Sequence, residues 1–201
     1  MTNERFNKWW ASGAYELVVS GYGHIGNENS YHNINHLIDC WNVVSNYFPY
    51  SIVTDEVKFS LIYHDLVYVV GAKDNEELSA ALAVIDLSGI YQDEPDKLKK
   101  IASLILSTKH TVIETEDLET QIILDTDLSI LGSSPEKYKR YSEQIYDEWS
   151  TAVDENSYKM GRINFLANML KRDRIFYRLT QLEKQARTNI LNEILHLSRV
   201  V

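Results

Sequence analysis

The chain has 201 residues, of which 44% are hydrophobic and 24% charged, and it contains only 8 glycines and 3 prolines. This composition excludes collagen-like, low-complexity and disordered proteins, and the single cysteine, Cys40, excludes an intramolecular disulfide framework. The net charge of −9 argues against a protein that follows duplex nucleic acid through its phosphates. The N-terminal residues lack the pattern of a signal peptide and no apolar run is long enough to span a membrane, so we expect a cytoplasmic protein with no membrane partner.

Helical periodicity dominates the chain, because apolar residues recur at intervals of three and four while glycine and proline are scarce. No stretch alternates long enough to predict a β-sheet, although a short strand pair near 110–115 is an alternative for that segment. We therefore predict an all-α fold, a helical bundle that forms one domain over residues 1–201. The predicted helices are, in chain order, 3–20, 33–48, 54–71, 75–89, 95–109, 117–131, 135–153, 157–171 and 182–198.

Ionisable residues interrupt two of these helices where apolar residues are expected. His64 and Asp65 lie in an otherwise apolar run of the predicted helix 54–71, and burial of two such groups requires that they be neutralised, paired or bound to metal. His32 and His36 are four residues apart near the start of another helix and share one face. Such a pair is a common metal-binding arrangement, although a lone buried histidine is more often a hydrogen-bonded core residue.

A third segment offers two aspartates, Asp125 and Asp127, of which only one can face a given site. Two residues apart on a helix, their side chains point about 200° apart. Asp127 shares its face with apolar residues such as Ile123 and Leu131, whereas Asp125 has more polar neighbours. We therefore expect Asp127 to be the buried, functional carboxylate, and Asp125 to meet solvent or a capping group.

Two imidazoles and two carboxylates, from His36, His64, Asp65 and Asp127, would form a nitrogen and oxygen site for one divalent cation. Four protein ligands leave two positions of an octahedral ion for water or a substrate oxygen, and we expect no thiolate to favour structural zinc. Because a metal-bound water loses its proton near neutral pH, such a site suits phosphoester hydrolysis. The residues alone do not fix the metal, and Mn, Mg, Co, Ni, Fe and Zn are all candidates.

The order of these ligands resembles the HD superfamily of metal-dependent phosphohydrolases, whose pattern is a histidine, a His-Asp pair and a distal aspartate on helices of an all-α domain. Within that superfamily, the chain is similar to a bacterial family of predicted phosphohydrolases. The resemblance implies that the four residues bind metal and that Asp65 also orients the attacking water. The matching strings span about residues 31–192 and are YHNINH, YHDLVY, DNEELSA, DTDLSILG, GRINFL and LEKQARTNIL.

Further roles are implied by similarity of YHNINH and DLS to segments of cyclic-nucleotide phosphodiesterases. There the first histidine of the string protonates the leaving group, which would make His32 a general acid; orienting its neighbours is the alternative. Glu76 lies where related HD hydrolases hold an acid that positions water or contacts substrate, although acids are common in any first helical turn. His110, expected at a helix end, is implied as a ligand of phosphate or a second metal, or is an ordinary cation at that terminus.

Basic residues are concentrated near the C-terminus, where residues 159–201 hold 9 basic and 3 acidic residues. A solvated basic helix and a wall for an anionic substrate explain this concentration equally well. Arginine suits bidentate phosphate contacts; Arg162 and Arg187 lie in the strings of the resemblance, and Arg174 lies between those two strings. We expect these three arginines, together with Lys109 and His110, to bind substrate.

The leading hypothesis is a metal-dependent hydrolase of a phosphoester or phosphoanhydride bond in a nucleotide or another small phosphorylated metabolite. One alternative is a di-iron oxygenase on the same kind of fold, with His110 or Glu76 as an additional ligand. Another is a catalytically silent nucleotide-binding module. The sequence leaves open which bond is cleaved, and it is compatible with a homodimer.

Overall fold

The computed structural model describes residues 4–13, 15–25, 30–111 and 114–199. Within these ranges the regular structure is helical throughout, so the predicted all-α class is confirmed. Short 3-10 helices at Tyr50–Ile52, Leu128–Gly132 and Thr180–Leu182 connect or extend the longer elements. The α-helices are α1 Glu4–Ala11, α2 Tyr15–Ile25, α3 Ile34–Tyr47, α4 Asp55–Tyr63, α5 Asn75–Leu87, α6 Pro95–Ser107, α7 Leu118–Asp127, α8 Pro135–Trp149, α9 Glu155–Lys171 and α10 Glu183–Arg199.

A turn at Gly13 divides the predicted helix 3–20 into α1 and α2. The backbone of Gly13 adopts a φ of 77°, a left-handed conformation that glycine tolerates and that an α-helix does not contain. The N–H of Ser12 donates to the carbonyl oxygens of Lys8 (3.0 Å) and Trp9 (3.2 Å), and these bonds close the last turn of α1. The prediction of one continuous helix is therefore wrong, although the helical type is right.

α4 ends at Tyr63, well before the predicted end at residue 71. Side chains of α5 bind the backbone of the segment that follows. The side-chain amide of Asn75 bonds both the N–H and the carbonyl oxygen of Val69 at 3.0 Å, and the Ser79 hydroxyl bonds the N–H of Val67 at 3.0 Å. Because these bonds satisfy backbone groups that a longer helix would pair internally, the chain leaves α4 just before His64.

Two hydrophobic clusters form the interior, and α3 and α4 lie between them. One cluster contains Ile122 and Leu131 and extends to α8, α9 and α10. The other contains Phe59 and Ile101 and includes residues of α1, α2, α5 and α6. α4 supplies side chains to both clusters, and all of its residues are buried, including the polar residues Asp55, Glu56, Lys58 and Ser60.

Two further predictions concern a short strand pair near 110–115 and the absence of a membrane-spanning segment. Residues 112 and 113, at the centre of the alternative strand pair near 110–115, lie outside the described residues, and the described residues beside them form no strand. In the described ranges, no helix has both the length and the apolar character needed to cross a membrane.

Candidate metal centre

Four predicted ligands, His36, His64, Asp65 and Asp127, converge where α3 meets the ends of α4 and α7. The Nε2 atoms of the two histidines are 3.2 Å apart. Nε2 of His36 lies 3.2 Å from Oδ1 of Asp127 and 3.5 Å from Oδ2 of Asp65. Nε2 of His64 lies 3.2 Å from Oδ2 of Asp65 and 3.6 Å from Oδ1 of Asp127. Donor atoms that each lie about 2.1 Å from one ion are about 3.0–3.5 Å apart, so these spacings fit a single cation.

The position of His36 is set by Asn33, the residue that caps the N-terminus of α3. Its Oδ1 accepts the N–H of Asn35 at 2.7 Å, and its side-chain N–H donates to the carbonyl oxygen of Ser30 at 2.6 Å. This fixes the residue at which the helix begins, and His36 then falls on the buried face of the first turn. Asn33, the first asparagine of the YHNINH string, is therefore a structural residue that positions His36.

Hydrogen bonds on the far side of His64 and Asp127 orient both ligands. Nδ1 of His64 lies 2.8 Å from the carbonyl oxygen of Leu61, and because a carbonyl only accepts, Nδ1 carries a proton and Nε2 is the nitrogen that faces the cluster. Oδ2 of Asp127 lies 2.9 Å from Nε2 of His110, which leaves Oδ1 for the two cluster histidines. Such outer partners hold metal-binding side chains in position.

The donor set suits a divalent cation, because neutral imidazole nitrogens and carboxylate oxygens that face one another are all acceptors. Burial opposes protonation of His64, but Asp65 and Asp127 raise its pKa well above the usual value. Burial alone would raise the pKa of Asp65, yet the charge of His64 lowers it to about 2. Burial likewise opposes ionisation of Asp127, but hydrogen bonds from three histidines hold its pKa well below the usual value. Without an ion, protonated histidine is thus the positive partner of the ionised carboxylates, and a divalent ion would take the place of that proton.

Cys40 lies one turn after His36 on α3, so the expectation of a site without a nearby thiol is wrong. His36, Cys40, His64 and Asp127 form a group that could hold a metal ion. Sγ lies 3.7 Å from Nε2 and 3.8 Å from Nδ1 of His36, and this near-equal spacing puts it against the ring instead of along the Nε2 lone pair. Burial also raises the pKa of the Cys40 thiol and disfavours the thiolate. Asp65 is therefore the better fourth donor.

Asp125 faces away from the cluster, as helical geometry predicts, but it is fully buried whereas the Asp127 side chain is 15% exposed, so the expected order of burial and the expected contact of Asp125 with solvent are wrong. Its carboxylate accepts the backbone N–H groups of Tyr177 (2.8 Å), Arg178 (2.5 Å) and Leu179 (2.8 Å). It therefore caps a loop, the second of the two roles expected for it. Burial raises the pKa of Asp125, and the three N–H donors act in the opposite direction.

His32 lies beside the cluster and is held by Glu148, a residue that we did not predict. Nδ1 of His32 is 2.8 Å from Oε2 of Glu148, and the backbone N–H of His32 donates to Oε1 at 2.7 Å. The imidazole also stacks on Tyr68, with ring centroids 3.8 Å apart. Burial alone would lower the pKa of His32, but the hydrogen bond to Glu148 raises it above the usual value.

The sequence did contain a signal for Glu148. Tyr141, Ile145 and Glu148 recur at helical spacing on the buried face of α8, so an acid stands where an apolar residue is expected. The same reasoning that selected His64 and Asp65 would have selected it.

His110 and Lys109 lie after the end of α6, at Ser107, and not within the helix. His110 adopts a φ of 55°, rare for a residue with a side chain, and its Nε2 binds Asp127 as described. Nζ of Lys109 lies 2.5 Å from a carboxylate oxygen of Glu77 and 3.9 Å from one of Glu76. The predicted substrate contacts at this end of the site are therefore already engaged with acidic groups.

The three predicted arginines are each bound to other parts of the protein. The buried guanidinium of Arg162 binds Glu193 through Nε (2.8 Å) and Nη2 (3.2 Å), and Nη1 donates to the Tyr141 hydroxyl (3.1 Å). Arg187 binds Glu183 at 2.7 Å and donates to the carbonyl oxygens of Leu170, in the last turn of α9, and of Arg172, just after it. Arg174 lies over the ring of Tyr177. Of these three, only Arg162 lines the cavity beside the metal centre.

A cavity of about 450 Å³ opens onto the cluster, a size typical of sites for small molecules. Polar side chains line the end beside the cluster, whereas aromatic and aliphatic side chains line the rest. The predicted site residues in its wall are His32, Asp65, Glu76, Lys109, His110, Asp127 and Arg162.

Comparisons with protein-family models, with curated proteins and with solved structures find no match to this chain. The chemistry of the site is therefore inferred from its own side chains.

Proposed function

We propose that this protein is a divalent-metal-dependent hydrolase of phosphoester bonds. The observation that supports this best is the convergence of four donor atoms, on the buried His36 and His64 and the partly buried Asp65 and Asp127, at the wall of a cavity that also holds a paired histidine. The proposal agrees with what the resemblance to the HD superfamily implies. The nitrogen and oxygen donors suit Mn, Mg, Co, Ni, Fe or Zn.

When bound, such an ion would supply an activated water and polarise a phosphoryl oxygen. Asp65 and Asp127 would hold it, with His36 and His64, and their two negative charges would offset its double charge. Asp65 also lines the cavity, where its carboxylate can accept a hydrogen bond and orient a water molecule.

His32 is suited to deliver the proton that the leaving group needs. Hydrolysis adds a water oxygen to phosphorus and breaks the bond to the ester oxygen, which leaves with a proton. Because Nδ1 of His32 is bound to Glu148, Nε2 is the nitrogen left for the cavity that His32 lines. The raised pKa of His32 keeps more of it protonated at neutral pH than an exposed histidine would be.

A second candidate is an oxygen-activating enzyme with two irons. It is favoured by Asp127, whose Oδ1 faces the cluster histidines while Oδ2 faces His110, so that one carboxylate could join two ions. Glu76 lines the same cavity and could add a donor.

Metal content and hydrolysis, measured on the same preparation, test the proposal. The chain is stripped with a chelator, reloaded with one divalent ion at a time, and assayed against aryl phosphates, nucleoside mono- and triphosphates, cyclic nucleotides and pyrophosphate. We expect one ion per chain and hydrolysis that depends on it. Two irons per chain without hydrolysis would favour the oxygenase, and nucleotide binding by the metal-free chain without turnover would favour the silent module.

Replacing Glu148 with glutamine is expected to move the alkaline limb of the pH–rate profile to lower pH by about one unit. Activity that needs protonated His32 declines as pH rises through the His32 pKa. The carboxylate of Glu148 raises that pKa, so removing its charge makes the decline begin earlier. The measurement is kcat/KM against pH.

The matched control for this variant is Glu143→Gln, since Glu143 lies on the same helix with its side chain largely exposed. Its profile should coincide with that of the unmodified protein. A Glu148→Gln profile that is lower in rate but unshifted in pH would assign Glu148 a packing role only.

A further inference from the structure

The cavity extends away from the metal centre into an apolar chamber between α8, α9 and the 3-10 helix Leu128–Gly132. We call this the α8–α9 chamber; its wall includes Ile130, Ile145, Trp149, Tyr158, Gly161 and Phe165. The wall of one cavity therefore combines the metal-centre residues Asp65 and Asp127 with large apolar side chains of α8 and α9.

Each basic side chain that the described residues contribute to this cavity is paired with a carboxylate. Arg162 binds Glu193, Lys109 binds Glu77, His32 binds Glu148 and His110 binds Asp127. None of these groups can neutralise a second phosphate without giving up an existing partner. Burying an unpaired anion beside apolar side chains is strongly unfavourable.

Gly161 contributes no side chain to the wall of the α8–α9 chamber. It lies in the middle of α9, where glycine is less favourable than alanine. Its backbone has no left-handed conformation that would require glycine, and a Cβ at this position would meet no other heavy atom within 4 Å. Gly161 is exposed and lines the cavity, so a larger side chain at this position has room to extend over the chamber.

We propose that the ligand of this site is a phosphoester with one phosphate at the metal centre and a bulky, uncharged aromatic or apolar group in the α8–α9 chamber. This deepens the proposed function and rests on it for the position of the phosphate. The apolar wall favours such a group because its burial removes apolar surface from water. The paired charges disfavour ligands with further phosphates.

Binding of phosphonates, which are not hydrolysed, tests the proposal without reference to turnover. The full chain, loaded with Mn²⁺, is titrated calorimetrically with methylphosphonate, with naphthylmethylphosphonate, and with a naphthylmethylphosphonate that carries a sulfonate on its distal ring. We expect the naphthyl compound to bind about tenfold tighter than the methyl compound, or more, and the sulfonate to remove most of that advantage.

The variant Gly161→Phe should fill the chamber and leave the metal centre intact. In it, the naphthyl compound should bind no more than about threefold tighter than methylphosphonate, whose own affinity should be unchanged. Met160→Phe adds a ring at an exposed neighbouring position of α9 and should retain the full preference. Gly161→Leu serves in place of Gly161→Phe if circular dichroism shows that the larger side chain prevents folding.

Equal binding of the methyl and naphthyl compounds by the unmodified chain would overturn the proposal, as would a full naphthyl preference in the folded Gly161 variant. Failure of the proposed function looks different. If no phosphoester is hydrolysed but the naphthyl preference is present and is lost in the Gly161 variant, the chamber assignment stands and the hydrolase does not. If a phosphoester is hydrolysed but the naphthyl compound binds no tighter than methylphosphonate, the hydrolase stands and the chamber assignment does not.

Discussion

Replacing Asp127 with asparagine is expected to abolish stoichiometric binding of a divalent ion and to lower kcat/KM by about a thousandfold or more. The change removes one of the two negative charges of the cluster and turns a potential N–H donor toward acceptors. Oδ1 of Asp127 lies 3.2 Å from Nε2 of His36 and 3.6 Å from Nε2 of His64, so no neighbouring acid replaces it without rearrangement. Elemental analysis and hydrolysis assays on the same sample measure both effects.

Asp39→Asn is the matched control, since Asp39 lies on α3 with a partly exposed side chain that is paired with Lys137. An exposed ion pair contributes little to stability, so this variant should keep its metal content and activity. Full metal occupancy in the folded Asp127→Asn variant would contradict the assignment of Asp127 as a ligand.

Replacing Asp125 with alanine is expected to lower the free energy of unfolding by about 3 kcal/mol or more. The carboxylate accepts three backbone N–H groups from Tyr177, Arg178 and Leu179, and the change leaves all three donors without that partner. Leu179 is itself buried, so water cannot readily replace the lost bond there. Denaturant unfolding followed by circular dichroism measures the effect.

Asp117→Ala provides the comparison. Asp117 caps the N-terminus of the same helix, α7, from a more exposed position, and loss of such a cap typically lowers stability by about 1 kcal/mol. If the two variants lose equal stability, the loop contacts of Asp125 contribute no more than an ordinary cap. Metal binding, measured on folded Asp125→Ala, should persist, which separates the role of Asp125 from that of Asp127.

The helical pattern was enough to predict the fold class and the side chains that meet at the candidate metal centre. Helical geometry separated Asp127 from Asp125, because residues two positions apart point in nearly opposite directions whatever the rest of the fold does. His64 and Asp65 stood out because they interrupt the apolar run from Phe59 to Val69, where an ionisable group needs a partner. These are local properties, and local sequence carries them.

Partners that are distant in the chain could not be predicted from the same pattern. Glu148 meets His32, and Glu193 meets Arg162, only because α8 and α10 pack against other helices. A sequence shows that an arginine is present but not which carboxylate it faces, and for this reason Arg162 was expected to be available to a substrate. The end of α4 at Tyr63 likewise depends on side chains of α5 that bind the following backbone.

The two hydrophobic clusters meet along α3 and α4, so the four donor atoms lie at the boundary between these clusters. Separation of the two clusters at this boundary would move His36 and His64 away from Asp127. An ion bound there would link the two clusters, because they could not move apart without breaking the coordination of the ion. Occupancy of the centre would thus couple the two clusters into one cooperative unit, whereas without an ion only histidine–carboxylate pairs such as His36–Asp127 connect them there.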